Sequence, residues 1–171
     1  MPRRPVHANA GAVARPGGLR AAAVLVAALP LLTGCSPGPV EIGAAAPTGR
    51  EAAACADLVG ALPDRLVDQE RREVDGEHGA AWGDPAIVLR CGVDEPEGFD
   101  ELSTCQVVND VAWYIPEEQV TGDPVAITMT TVGRQPGVEV SLPEDYFPPA
   151  AAMAQLSQAL LGHSTEVEPC G

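Results

Sequence analysis

The sequence predicts an α+β domain: an antiparallel sheet of about four to five strands, with an N-terminal and a C-terminal helix packed on one face, stapled by disulfides. Three observations carry this expectation. One apolar stripe of helical period opens the folded part of the chain and another closes it. Short β-branched runs bounded by turn residues lie between them, without the regular alternation of β and α units that a doubly wound sheet requires. Cys55, Cys91, Cys105 and Cys170 are spread across the same region.

Each element has its own reason. Cys55, Leu58, Val59 and Leu62 fall at i, i+3, i+4 and i+7 and form one buried stripe. Glu51 stands near the dipole-positive start of that helix, and Pro63 is expected to stop it. Residues 69–74 read as a highly charged edge strand. Residues 85–93 form a β-branched run after the turn Gly83-Asp84-Pro85. Residues 104–115 read as a further strand, bulged or turned at Asn109-Asp110. Residues 125–132 follow a second Gly-Asp-Pro turn, and residues 137–142 follow Arg134-Gln135-Pro136. A last helix is expected over residues 149–161, with Met153, Leu156, Leu160 and Leu161 as its stripe and Gly162 as C-cap. Trp82, Phe99, Trp113, Tyr114, Tyr146 and Phe147 are expected to fill much of a modest core.

The folded region is preceded by the parts of a lipoprotein signal peptide over residues 1–34. Arg3, Arg4, Arg15 and Arg20 supply positive charge, and no acid occurs before Glu41. The apolar run over residues 21–32 contains Pro30 and is far shorter than the roughly 20 residues of a spanning helix. It ends in Leu32-Thr33-Gly34-Cys35, the pattern of a bacterial lipobox. Thr33 and Gly34 are small enough to lie extended in a peptidase cleft. The Cys35 thiol is nucleophilic enough to take a diacylglyceryl group as a thioether. Residues 35–50, rich in Pro, Gly and Ala, are then expected to be a lipidated N-terminus and a flexible tether reaching about 20 Å. Residues 51–171 form the single extracytoplasmic domain, held at the outer face of the cell membrane.

Charge and cysteines agree with that address. The whole chain carries −14. Removing the leader leaves Arg50, Arg65, Arg71, Arg72, Arg90 and Arg134 against all 24 acids, a net charge near −18. Such a surface repels nucleic acid, so none is expected as a partner. With Cys35 used for lipid, the remaining four cysteines suggest two disulfides in a small exported domain, with three connectivities open. The preferred pairing is Cys91 with Cys105, between strands taken as adjacent, and Cys55 with Cys170. The absence of a C-x-x-C pair or paired histidines argues against zinc, and no cofactor is expected.

In order behind the lipobox stand Trp82-Gly83-Asp84-Pro85, Leu89-Arg90-Cys91-Gly92-Val93, Val111-Ala112-Trp113 and residues 133–140, Gly-Arg-Gln-Pro-Gly-Val-Glu-Val. This series resembles an actinobacterial family of exported lipoproteins catalogued as domain of unknown function 3515, over about residues 40–171. The individual motifs are short, and their order and spacing carry the resemblance. It implies a cell-envelope setting in a high-GC Gram-positive bacterium and brings no activity to any residue.

Each candidate site has a plainer role beside it. Residues 94–101 are acidic, but Pro96 and Gly98 fall where a calcium loop needs oxygen ligands, so a solvated loop is expected. Trp82 and Trp113 suit the core, with Trp82 the better candidate for exposure. Trp82, Arg90 and Arg134 could together present a surface for a carboxylate, phosphate or sugar, the arginines gripping bidentately. Salt bridges within the sheet are the plainer role for both arginines. His78 and His163 are the histidines of the mature chain, and no nucleophile elbow, zincin helix or phosphate loop accompanies them. The expected function is therefore a non-catalytic binding or accessory role at the cell envelope, with an envelope protein as partner. A small-ligand receptor is the alternative, and an envelope hydrolase the residual one.

Overall fold

The computed structural model describes residues 38–100 and 102–170. The leader, the lipobox and the lipidation site Cys35 lie outside the described residues. A first short strand, β1 (Val40–Glu41), is followed by helix α1 (Gly49–Ala61). Cys55 and Leu58 are buried on α1, and Leu62 is buried just after it, as their spacing predicts. The helix stops where proline demands: Leu62, the residue before Pro63, is extended at φ −65° and ψ 147°.

Strands β2 (Arg65–Leu66), β3 (Gln69–Arg72), β4 (Val74–Asp75), β5 (Gly79–Trp82) and β6 (Ile87–Cys91) follow. Next come β7 (Gln106–Val108) and β8 (Val111–Tyr114), a hairpin whose turn residues Asn109 and Asp110 both have positive φ, 47° and 62°. That is the geometry of a two-residue primed turn, which Asn and Asp tolerate well. Strands β9 (Ile127–Thr131), β10 (Arg134–Gln135) and β11 (Val138–Leu142) precede helix α2 (Ala150–His163) and the last strand, β12 (Thr165–Glu166).

The main sheet has eight strands in the order β2-β3-β5-β6-β11-β9-β8-β7, every neighbouring pair antiparallel. The α+β class with a helix at each end matches expectation, but the strand count exceeds it. The main omission was β5, Gly-Ala-Ala-Trp, which lacks β-branched residues yet is buried along its whole length. Gly79 explains part of that. A Cβ there would come within 2.5 Å of Ile42, so a bare backbone lets the N-terminal segment lie directly on the strand.

One face of the sheet carries Leu89, Cys91, Val138, Val140, Met129 and Trp113, all buried, against the apolar sides of α1 and α2. Met153, Leu156 and Leu160 of α2 join them, whereas Leu161 is 44% exposed and leaves the predicted stripe. Nor is Gly162 the C-cap. The helix runs through it to His163, and the N–H of Ser164 closes the last turn on the Leu160 carbonyl at 2.8 Å. Of the six aromatic residues, the two tryptophans are fully buried, and Tyr146 and Phe147 pack at the core's edge. Phe99 instead meets Tyr114 edge-on, with ring centroids 5.4 Å apart.

The disulfides require a correction. Cys55 bonds Cys91 and Cys105 bonds Cys170. The preferred pairing took β6 and the following strand as neighbours, but β11, β9 and β8 lie between β6 and β7. Cys91 faces the helices, where Cys55 on α1 lies above it, and their Cα atoms are 5.6 Å apart. Cys105 precedes the edge strand β7, within reach of the C-terminal segment that crosses there.

Within the stretch expected to be a flexible tether, Val40–Ile42 are paired with the domain. β1 runs parallel to β4, and the Arg72 guanidinium donates to the Gly38 carbonyl at 2.8 Å. Residues 42–47 then pass over Gly79, Arg90 and Gly92 before α1 begins.

Candidate functional site

The three residues proposed as a ligand surface do not converge. Trp82 is fully buried, and its Nε1 donates to the Pro63 carbonyl at 2.9 Å. The guanidinium of Arg71 lies 5.9 Å from the Trp82 ring centroid and donates to the carbonyls of Val59 and Leu62. A cation therefore complements the C-terminal end of α1. Arg71 thus couples helix to sheet, a role that nothing in its sequence neighbourhood announced.

Arg90 is on the opposite face of the sheet, paired with Glu139 directly across the β6–β11 ladder. Arg134, with its side chain only 7% exposed, is turned to the chain end. Its Nε donates to Ser164 Oγ at 2.9 Å, a terminal nitrogen donates to the Ser164 carbonyl at 3.0 Å, and another lies 3.7 Å from Glu166. Both arginines are used in holding the fold, so Trp82, Arg90 and Arg134 form no common surface. Trp113 is buried as well, with its Nε1 unpartnered among the described residues.

The acidic loop closes on itself. Asp100 Oδ1 accepts from the Leu102 N–H and the Ser103 hydroxyl, both at 2.9 Å. Among the described residues, no group of three His, Cys, Asp or Glu side chains is placed to hold a metal ion. His163 lies in the last turn of α2, and His78 has φ 58° with its carbonyl accepting from Cys91 N–H.

The concave feature that does emerge lies between the outer face of β7–β9 and the chain end. Gly133, at φ 66°, accepts from the N–H groups of Val167 and Glu168 at 2.8 and 3.2 Å, while β12 pairs with β10. The segment is then fastened by the Cys105–Cys170 bond. Three adjoining depressions follow it, of about 250, 320 and 220 Å³, all sharing Val132 and Glu168. Asp94, Glu95, Asp100, Asp110, Glu166 and Glu168 line them, and Arg134 is the basic residue among the lining. Such a predominantly acidic lining in a concave surface concentrates negative potential.

Apolar side chains stand beside this acidic groove. Val107 on β7 is 65% exposed, Val167 59%, and Leu102, close in sequence to Cys105, 92%. β7 is also the edge of the sheet. In the hairpin, Gln106 and Val108 direct their backbone groups to β8, so those of Val107 point away from the sheet. Among the described residues they meet no backbone partner. Sequence reasoning missed this groove because it is assembled from five distant stretches. The odd register of Leu102 and Val107, apolar but outside any stripe, was the signal available.

A family model described as "Protein of unknown function (DUF3515)" matches residues 19–168. No curated protein and no solved structure matches the chain.

Proposed function

Starting from a chain that belongs to this family of unknown function over most of its length, we propose that it is a lipid-anchored, extracytoplasmic binding protein of the cell envelope, without catalytic activity. Cys35 carries the lipid after the leader is removed. The groove beside β7 takes an extended segment of an envelope protein, one rich in basic and apolar residues.

The observation that carries this reading is the coincidence, at one place, of a free strand edge, exposed Val107 and Val167, and an acidic lining. An extended segment adding to β7 satisfies the outward N–H and C=O of Val107, while its side chains meet the valines and the carboxylates. Two disulfides support folding in an oxidising compartment, where such bonds form and persist.

The test is site-specific photocrosslinking in cells, with a photoreactive residue at Val107 in the full chain. The expected outcome is one dominant protein adduct, diminished when Asp110 and Glu168 are both changed to Lys. Adducts of equal pattern from Val107 and from a control position such as Asp57 on α1 would sink the reading.

A further inference from the structure

The docked N-terminal segment has a consequence for how the protein stands on its membrane; this rests on the lipid-anchor reading above. If residues 35–50 were free, the domain would drift about 20 Å from its anchor in any orientation. The first fixed point comes far sooner, where Arg72 holds the Gly38 carbonyl at 2.8 Å. Val40 N–H then donates to Glu73 and Ile42 N–H to Asp75, each at 2.9 Å. Only Ser36 and Pro37 separate Cys35 from Gly38. Fully extended, that stretch reaches at most roughly 11 Å.

The leash is shorter than the domain is wide. Gly38 lies at the β3–β4 side of the sheet, and six strand steps separate β3 from β7. At about 4.8 Å per step that is roughly 29 Å. The two places also differ along the strands. Arg72 bonds the Gly83 carbonyl as well, at the start of the β5–β6 turn. The groove around Gly133 and Glu168 lies beyond the other ends of these strands, where Gly92 and Val93 hydrogen-bond Gly137. Gly38 and the groove therefore lie toward opposite ends of the strands, the groove running from the β6–β11 end to the β7 edge.

We infer that the membrane is itself a face-specific partner: the Arg72–Gly83 corner rides at the lipid headgroups, and the acidic groove is presented away from the bilayer. The Arg72–Gly83 corner carries Asp68, Glu70, Glu73 and Asp84 as well, so charge does not select between the two ends and the short leash alone sets the pose. The groove thus meets partners approaching from the cell-wall side or from neighbouring envelope proteins rather than lipid.

The experiment uses the full chain, produced with its own leader and reconstituted into vesicles of phosphatidylcholine and phosphatidylglycerol. A fluorescent non-canonical residue is placed at Asp84, in the β5–β6 turn, or at Asp110, in the β7–β8 hairpin, and energy transfer to a headgroup dye is read. Transfer is expected to be several-fold more efficient from Asp84. Inserting about fifteen Gly and Ser residues after Ser36 should erase most of the difference, because a flexible chain of that length reaches about 20 Å. Equal transfer from the two positions in the uninserted protein, while it remains vesicle-bound, would overturn the pose and leave the anchor standing. Wild-type protein that stays in the aqueous fraction, as Cys35→Ser is expected to, would instead remove the anchor and the pose together.

Discussion

The backbone of Glu168 lies directly on Gly133: its N–H donates to the Gly133 carbonyl at 3.2 Å, and its own carbonyl fills the space a Cβ at position 133 would occupy. With φ at 66°, the position is unfavourable for any L side chain as well. Gly133→Ala therefore has two costs. The left-handed backbone alone costs about 1–2 kcal/mol, and the overlap pushes the chain end off the sheet. Hydrogen exchange should show protection lost at Val167 and Glu168 while the amides of β6 and β11 keep theirs. Unchanged protection at Val167 would count against this account of the groove wall.

Non-reducing peptide mapping should recover Cys55 linked to Cys91 and Cys105 linked to Cys170. The two bonds span 36 and 65 residues. In the chain-entropy model each contributes about 4 kcal/mol. Their removal should nevertheless differ in kind. Cys55 and Cys91 are both fully buried in the core, so replacing both with Ala lowers the global unfolding midpoint. Replacing Cys105 and Cys170 with Ser frees a terminal segment that opens locally, and the larger effect should appear as proteolysis near residues 165–170. Equal loss of global stability from both pairs would contradict the distinction.

Arg134 holds Ser164 through two donors, and its planar fork is what makes both fit. Arg134→Met should cost about 2–3 kcal/mol in denaturant unfolding, because a nearly buried charged network loses its centre. Arg134→Lys should recover less than half of that, since an ammonium cannot present the same two parallel bonds. Full recovery by Lys would mean that charge alone matters there.

Tyr146 should contribute to stability on the acid side of its own titration. Its hydroxyl donates to the Pro85 carbonyl at 2.9 Å. Burial first, and then the charges of Asp145 and Asp84, raise its pKa above the ordinary 10.0. The neutral phenol is the form favoured in the folded protein. Its contribution is complete below about pH 10 and is lost as pH rises through the higher folded value, because the unfolded chain ionises first. Thermal midpoints should thus fall above pH 10, and less steeply in Tyr146→Phe. Parallel pH curves for the two proteins would refute the assignment.

The helices were legible because their signals are local. The Cys55–Leu62 spacing and Pro63 predict α1 and its end without any knowledge of the sheet, and the Met153–Leu160 spacing does the same for α2. The β-branched strands β6, β9 and β11 were equally plain. β5 was not, because Gly-Ala-Ala-Trp has no strand propensity of its own. It becomes a strand because β3 and β6 pair with it and Ile42 covers Gly79. Extended backbone there is imposed by neighbours.

Trp82, Arg90 and Arg134 looked alike as candidates because their sequence neighbourhoods do not state which face each occupies. A strand alternates faces at every residue, so membership in a site depends on register. Register placed Trp82 under the helices, Arg90 across from Glu139, and Arg134 against Ser164. The helical stripes and the number of structural cysteines followed from the sequence alone, because spacing along the chain suffices for them, and the family entered as a resemblance carried by its short motifs. The cysteine partners, the docked N-terminal segment and the acidic groove were decided by tertiary structure. The cysteine partners and the groove depend on β11 and β9 entering the sheet between β6 and β8, and the docked segment on β1 pairing with β4 and crossing Gly79; these long-range pairings bring together residues which no local pattern connects.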